Sequence, residues 1–519
     1  MDRSPDAAAI AAATPDDRDR WIDFIRAFSI GVVVLGHWLV AVVVWRDGSI
    51  SGFNVMEAIP GLWPLTWLLQ VMPLFFFVGG FSNLVSLRSA RRRGEGYAGF
   101  LRGRFDRLMR PTLAFLIPAV AIVATLDALN VADDAVFPVA TLITGPLWFL
   151  GVYMIVIALA VPMAALHDRF GAWVPSTLGL IAVAVDIARF AGDFSGIGFV
   201  NYPVVWLLAH QLGFLYADGR LRPDFGRWLA PLGLAALVAL VAAGPYPASM
   251  VGLATDEFSN MDPPTLAIVA LLAWQIGLAL WLRAPVTRWL ESPRVWTAVV
   301  GVNSVIMTAF LWHLTVLVIA IGVLYPLGFP QPEVGTTFWW LLRPAWIGVL
   351  IVLLGALVAV LGPIERVALT RRRPASERSP GSASLAVVAA VATLWGVLGF
   401  AIGGLHQVFS PTGDTLLVFR LNPFQNLIHL AWGAMAMAAA VGAWRTVARA
   451  AALSAALASA LAAAGPLLRA GYTENVLASN AAADLLHGGL AVLSLAAWWL
   501  ARRRPSRVDT GAHRPTRQV

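Results

Sequence analysis

The chain has 519 residues, 59% of them hydrophobic and only 13% charged, with a mean hydropathy of +0.74. Soluble domains carry about 25% charged residues, so a soluble globular protein is excluded and an integral membrane protein is expected. Cysteine is absent, which excludes disulfides, thiolate catalysis and thiolate metal sites. All 37 basic residues are arginine, and in so apolar a chain the net charge of +8 reads as a topology signal, with no nucleic-acid partner implied.

Residues 1–20 are polar and rich in Asp and Ala, without the basic-then-apolar order of a cleavable signal peptide, and are read as a polar cytoplasmic tail. Apolar runs then predict about fourteen membrane helices. They lie near 25–45, 64–87, 110–130, 146–166, 173–192, 199–217, 228–244, 264–283, 296–325, 339–362, 384–405, 423–443, 447–468 and 480–501. The turn after the second run is dense in arginine, from Arg88 to Arg110, and further arginines cluster around 220–227, 283–294, 366–373, 445–449 and 502–504. The intervening loops are acidic or neutral, with Asp133, Asp134, Asp256, Glu257, Asp262, Glu333 and Asp414. This alternation predicts a multi-pass protein of the cell (inner, cytoplasmic) membrane with both termini cytoplasmic. The expected fold class is all-α: a ten-helix membrane unit over 21–368, an Arg/Pro/Ser linker over 369–384, a four-helix unit over 385–501 and a basic tail over 502–519.

In the first span, "RAFSIGVVVLGH" sets Arg26 eleven residues before His37. At about 100° and 1.5 Å per residue the two share a helix face, with the histidine roughly 16 Å deeper. Asp23 lies about 40° away on the same face. Ionisable residues inside lipid are costly and usually face a protein interior. One reading of the stripe is an electrostatic approach to a deep base; the other is an interfacial ion pair with His37 joining helices. In the second span, "MPLFFFVGGFSN" offers Pro73 as a kink and Gly79-Gly80 as a point of close approach. At the mouth of the third, "RGRFDRLMRP" repeats arginine every third residue at Arg104, Arg107 and Arg110, on neighbouring helix faces. Such forks suit phosphate, although basic residues at a cytoplasmic helix end also satisfy topology. The ninth span, "GVNSVIMTAFLWHLTVL", carries Asn303, Ser304, Thr308 and His313 spread around the helix, as cavity groups or satisfied buried ones. "FQNLIHLAWGAMAMAAA" and "AADLLHGGLAVLSLAA" echo each other, and their spacing puts Asn426 with His429, and Asp484 with His487, on one helix face in hydrogen-bond reach, as interhelical glue, which is the favoured reading, a lipid or acceptor site, or a partner interface. No metal-ligand, Walker, dinucleotide or serine-hydrolase motif is present, so no metal is expected.

Five of these segments together resemble the acyltransferase 3 family of multi-pass membrane enzymes. They are "WIDFIRAFSIGVVVLGH", "MPLFFFVGGF", "RFDRLMRP", "GPLWFLGVYMIV" and "NSVIMTAFLWH", which follow the family's order over roughly residues 20–365. The pattern of a basic residue, ten intervening residues and then histidine is met by Arg26 and His37, and the Arg-x-x-Arg element falls on Arg107 and Arg110, extended by Arg104. Many members have Ser-Gly-Phe where this chain has Gly79-Gly80-Phe81, which leaves the role of that serine hydroxyl open. The resemblance implies transfer of an acyl group, commonly acetyl from acetyl-CoA, to a hydroxyl of a carbohydrate or glycolipid, often an envelope glycan. Acyl-CoA then acts as donor substrate, no cofactor is bound permanently, and lipid, donor and acceptor are the partners. On this reading His37 and Arg26 are catalytic, Arg104, Arg107 and Arg110 hold the CoA phosphates, and Asp23, Trp148, Ser304 and His313 line the substrate site. The four-span tail resembles, more weakly, a small actinobacterial membrane domain of unknown function. The rival readings are a transporter or flippase for a lipid-linked or acylated species, and an inactive membrane scaffold.

Overall fold

The computed structural model describes residues 7–502 apart from 16–17, 47–48, 130–132, 193, 254–255, 371–380, 406, 417 and 471–474. Most of the expected linker and both terminal tails beyond 7 and 502 therefore lie outside the described residues. The chain is a helical membrane protein. Among the described residues eleven helices are long and apolar enough to cross a bilayer, or twelve when Leu266–Trp281 and Arg283–Trp289, which meet at 53°, count as one bent span. The expected all-α polytopic class holds, with these eleven or twelve standing among the roughly fourteen expected runs. The two runs that fall short are Asn201–Ala217, one residue shorter than the shortest span, and Pro423–Ala440, which carries Gln425, Asn426 and His429. Both are mostly buried among other helices, where a lipid-compatible surface is not required.

Several boundaries also move. The first helix, Arg20–Val40, starts under an Asp19 cap that accepts the Trp21 and Ile22 amides, and stops at a β-branched run. Residues Ala41–Arg46 then pair antiparallel with Ser49–Asn54 as a hairpin. Pro73 opens the Met72–Arg92 helix instead of kinking one, at a position where its missing N–H has no intrahelical partner to lose. The fourth span runs over Pro138–Ala158 with a break before Leu147, earlier than expected. The ninth is broken at Ser304–Val305 into Pro293–Asn303 and Ile306–Leu324. Glu365, buried on the Thr337–Thr370 helix, satisfies the second piece: it accepts the Met307 amide at 3.2 Å, the Thr308 amide at 2.9 Å and the Thr308 hydroxyl at 2.8 Å. A carboxylate at a helix start answers both the free amides and the helix dipole.

Small residues set a close helix crossing beside the second span. Gly80 on Met72–Arg92 and Gly213 on Asn201–Ala217 press these two helices together: a Cβ on Gly80 would run into the His210 carbonyl, and one on Gly213 into the Phe77 carbonyl. Beside the crossing, the Asn83 amide meets His210 Nε2 at 3.0 Å. At the arginine-rich end, Asp218 ties three elements together by binding Arg88 at 2.5 Å and His167 at 3.0 Å, while the other nitrogen of His167 meets Gln211.

The C-terminal helices are fused to this body. Ser382–Gly403 packs on Leu147–Ala158 and Tyr97–Ala128, and Pro423–Ala440 also packs on the latter. Gly151 makes room for Leu398, the Val408 amide donates to Asp127 at 3.1 Å, and one apolar cluster runs through both parts. Inside the C-terminal unit the expected pairs re-sort. His429 and His487 bond to each other edge to edge at 3.0 Å with 18° between their ring planes, His429 Nδ1 meets the Gln425 carbonyl, and Asp484 binds Arg469 and Ser479. The buried Asn426 amide has no hydrogen-bond partner. The interhelical His–His bond replaces the two intrahelical pairs because both rings face the seam between helices.

The glycine crossing gives a prediction with an unusual sign. Helix propensity alone makes Gly→Ala stabilising by about 1 kcal/mol, whereas overpacking costs about 1–3 kcal/mol. Gly80→Ala is expected to lower the thermal midpoint of the purified protein in detergent; an unchanged or raised midpoint would contradict the crossing.

Candidate active site

A cavity of about 780 Å³ opens beside His37. The first helix contributes Gly36 and His37, Leu147–Ala158 contributes Trp148 and Phe149, and the C-terminal unit contributes Ala401 and Ile402. Its rim comes from segments beyond the far end of the first helix, among them Asn54, Ser259 and Asp262, all on the side away from the arginine-rich turn.

His37 is half-buried in this wall and is held from behind. Its Nδ1 lies 2.7 Å from Nε2 of the fully buried His313, the two rings lie edge to edge and nearly coplanar with centroids 5.0 Å apart and 11° between their planes, and His313 Nδ1 lies 2.5 Å from the Phe310 carbonyl. The Trp38 indole N–H donates to the His313 carbonyl at 2.9 Å. A carbonyl can only accept, so His313 Nδ1 carries a proton. With both rings neutral, His313 Nε2 is then the acceptor and His37 Nδ1 the donor. That fixes the His37 tautomer and leaves Nε2, which has no partner among the described residues, as a free lone pair on the cavity side. The arrangement is a base with its orienting group, the geometry that general-base chemistry requires.

A second polar region lies toward the other end of the same helix. Arg26 donates to Ser82 Oγ at 2.5 Å and to Asp23 at 3.1 Å, and Asp23 also binds Arg18 at 2.5 Å. Arg104 reaches the same residue through the Ser82 carbonyl and bonds Ser86 Oγ at 2.6 Å. Arg104 and Arg107 lie close enough to Arg26 and Tyr153 to interact electrostatically, and Arg107 also faces Glu365 and Asp23. Neither Arg107 nor the Tyr153 hydroxyl makes a hydrogen bond within the described residues. Two guanidinium groups bonded to one serine, with the unbonded Arg107 in electrostatic reach of Arg26, form a niche suited to phosphate oxygens. Gly79 belongs to this niche: a Cβ there would lie 2.8 Å from Tyr153 Cε2 and 3.3 Å from its hydroxyl. The Tyr153 ring and hydroxyl thus stand where a serine side chain would project in relatives with Ser-Gly-Phe.

The sequence-derived residues therefore divide. His37 and Trp148 line the cavity, while Arg26, Arg104 and Arg107 gather about three helical turns away. Three expected lining residues do not line it. Asp23 is buried and bound by two arginines, Ser304 turns back onto the Gly301 carbonyl at 2.7 Å, and His313 sits behind His37. Arg110 is half-buried and makes no bond among the described residues. The sequence reading missed Tyr153 and Ser82, whose residue types carry no signal by themselves. It also passed over Arg343, although an arginine between tryptophans in an apolar run is such a signal. Among the described residues no three metal-ligating side chains come together.

A polytopic helical membrane protein with a histidine base in a wide cavity and an arginine niche about three helical turns away has the parts of a membrane-embedded group-transfer enzyme. Residues 19–364 match the acyltransferase domain of the acyltransferase 3 family, and the chain belongs to that family. Residues 383–500 match a domain of unknown function (DUF4383). No curated protein and no solved structure matches the chain. The protein is accordingly a membrane acyltransferase.

Because Ala401 and Ile402 form part of the cavity wall, the two family segments are expected to behave as one body. With a protease site engineered into 371–380 and cut in detergent, the two fragments should co-elute on gel filtration. Separate elution would show that the packing against Leu147–Ala158 does not hold them.

Proposed function

We propose that this protein moves an acyl group, acetyl in the simplest case, from acyl-CoA to a hydroxyl of a carbohydrate or glycolipid of the cell envelope. The observation that carries the reading is the hydrogen-bonded line Phe310–His313–His37, which ends in a free imidazole nitrogen in a cavity wall. The positive-inside rule sets the arginine-rich end in the cytoplasm, together with both termini, in the cytoplasmic membrane. Acyl-CoA is a cytosolic anion, which suits the niche of Arg26, Arg104 and Arg107. Its thioester hangs at the end of a long flexible arm, so phosphates in the niche and a thioester near His37 are compatible with the roughly 16 Å that separates Arg26 from His37. The acceptor comes from the opposite side, through the cavity.

In this scheme His37 Nε2 takes the proton of the acceptor hydroxyl as its oxygen bonds to the acyl carbon. The carbon–sulfur bond then breaks, and the proton passes from His37 to the departing CoA thiolate. While His37 is charged, its Nδ1–H keeps its bond to His313, so the imidazolium forms without a rotation. His313 is a positioning residue, and Arg26 acts on the donor's charge and on the niche, since it does not reach the cavity.

The test is acyl-CoA turnover by purified protein. His37→Ala should lower acyl transfer by about 10²- to 10⁴-fold with folding intact. His313→Ala should cost about 100-fold, through a base free to rotate, and should depress kcat more than it raises the KM for acyl-CoA. Full activity in His37→Ala would remove the histidine from the reaction. For the donor site, Arg107→Glu should raise the KM for acyl-CoA by about tenfold or more, and Arg110→Glu by less, because Arg110 lies outside the niche. Equal effects at the two positions would return the arginines to a topological role.

A further inference from the structure

Arg343 lies two turns into the Thr337–Thr370 helix and lines the same cavity as His37, on the side away from the arginine niche. Its guanidinium carbon stands 3.9 Å from the centroid of the Trp339 ring, and Trp339 meets Trp340 edge to face. Both tryptophans also line the cavity. Arg343 makes no hydrogen bond or ion pair with any described residue, and its Nε is buried without a partner. The acid that shares the cavity wall, Asp262, accepts from the Tyr202 hydroxyl and does not bridge to Arg343. Of the half-buried arginines, Arg26 has Asp23 and Ser82, Arg88 has Asp218, and Arg283 has Asp19 and Tyr216; Arg343, like Arg107 and Arg110, has no such partner among the described residues, and of these three it alone lines the cavity.

A guanidinium does not titrate away, and holding one unpaired in a partly desolvated wall is costly. Stacked against an indole, its fork is held in place, which lowers the ordering cost of gripping a planar oxyanion. Adjacent aromatic faces suit the apolar face of a sugar ring. We propose that Arg343 is an anion subsite for the acceptor: the acceptor carries a carboxylate or phosphate, which Arg343 holds while the hydroxyl to be acylated reaches His37. This rests on the acceptor-side reading of the cavity given above. It narrows the acceptor from any carbohydrate or glycolipid to an acidic one.

The experiment uses full-length protein in dodecyl maltoside, acetyl-CoA, and two soluble probes, p-nitrophenyl β-D-glucuronide and p-nitrophenyl β-D-xyloside. The two share their ring hydroxyls and differ by the carboxylate. Wild type should favour the glucuronide by about tenfold or more in kcat/KM. Arg343→Gln should bring the ratio toward unity, and Arg343→Lys, which keeps the charge without the fork, should retain part of it. No preference in wild type, or one that survives in Arg343→Gln, overturns the subsite. A binding readout separates this from the acyl-transfer reading. In a His37→Ala background the glucuronide should raise the thermal midpoint more than the xyloside does, and adding Arg343→Gln should erase the difference. That result without turnover in any variant would keep the subsite and remove the acyl-transfer reading. No difference in midpoint removes the subsite. A lipid headgroup is the other source of such an oxyanion. Phosphatidylglycerol that stabilises wild type but not Arg343→Gln, and abolishes the glucuronide effect, would assign Arg343 to lipid instead.

Discussion

The structure turns on one hydrogen bond between side chains 276 positions apart, His37 Nδ1 to His313 Nε2 at 2.7 Å. In lipid-surrounded protein a polar group must find its partner inside the protein. These two histidines meet that demand in a way that leaves one nitrogen over. The Phe310 carbonyl settles the direction of the whole line, since it can only accept. Structural need and chemical capacity thus share the same atoms: the bond that joins the first helix to Ile306–Leu324 also sets which His37 nitrogen is basic. The His429–His487 pair in the C-terminal unit follows similar logic without a comparable cavity. There the line begins at the Gln425 carbonyl, and the nitrogen left over, His487 Nδ1, is buried without a partner. A histidine pair alone is therefore glue, and a cavity on its free side is what makes it a candidate for catalysis.

The same demand explains where helices break. The ninth span cannot run straight through Ser304–Val305, because the amides of Met307 and Thr308 are turned over to Glu365 instead of to the preceding turn. The break lets Asn303 donate to the Asp23 carbonyl and anchor the start of the His37 helix. Arg107, electrostatically within reach of Glu365, joins that anchor to the arginine niche. The irregular backbone is confined to places where buried side chains supply its partners, as lipid requires.

Legibility in the sequence followed physical range. Membrane character, helical class and the arginine-rich turns were readable because they depend on hydropathy and charge along the chain. The Arg26–His37 stripe was readable as geometry of a single helix, and family motifs gave it chemical meaning. What could not be read were relations across helices. His313 was legible as a buried histidine, but its place behind His37 depends on how the first and ninth spans meet. The Asn426–His429 and Asp484–His487 spacings were correct as helix geometry and still misleading, because a partner on the facing helix competes with one on the same helix. Shielding also lies outside a single helix: Asn201–Ala217 and Pro423–Ala440 are covered by neighbours and need not satisfy a lipid criterion at all.

The division between niche and cavity bears on how a reaction could be split across a bilayer. The first helix carries Arg26 toward one end and His37 toward the other, and each faces a different environment: the arginine niche at Ser82, and a largely apolar cavity with tryptophans. A soluble anion and an amphiphilic acceptor cannot share one solvent, so an enzyme that brings them together needs two approaches to one base. Gly79 and Gly80 sit between these approaches and serve different ends. Gly80 exists for the helix crossing against His210, while Gly79 exists for Tyr153, whose hydroxyl faces the arginines. The C-terminal unit then has a definite place in this division. It touches neither Arg26 nor the arginine niche through any hydrogen bond among the described residues, yet its first helix supplies Ala401 and Ile402 to the cavity. Its small and branched apolar side chains add surface without polar specificity, so its contribution is to the cavity's size and dryness. A drier wall strengthens every charge that faces it, and the effect falls most heavily on His37 and on Arg343, which share that wall.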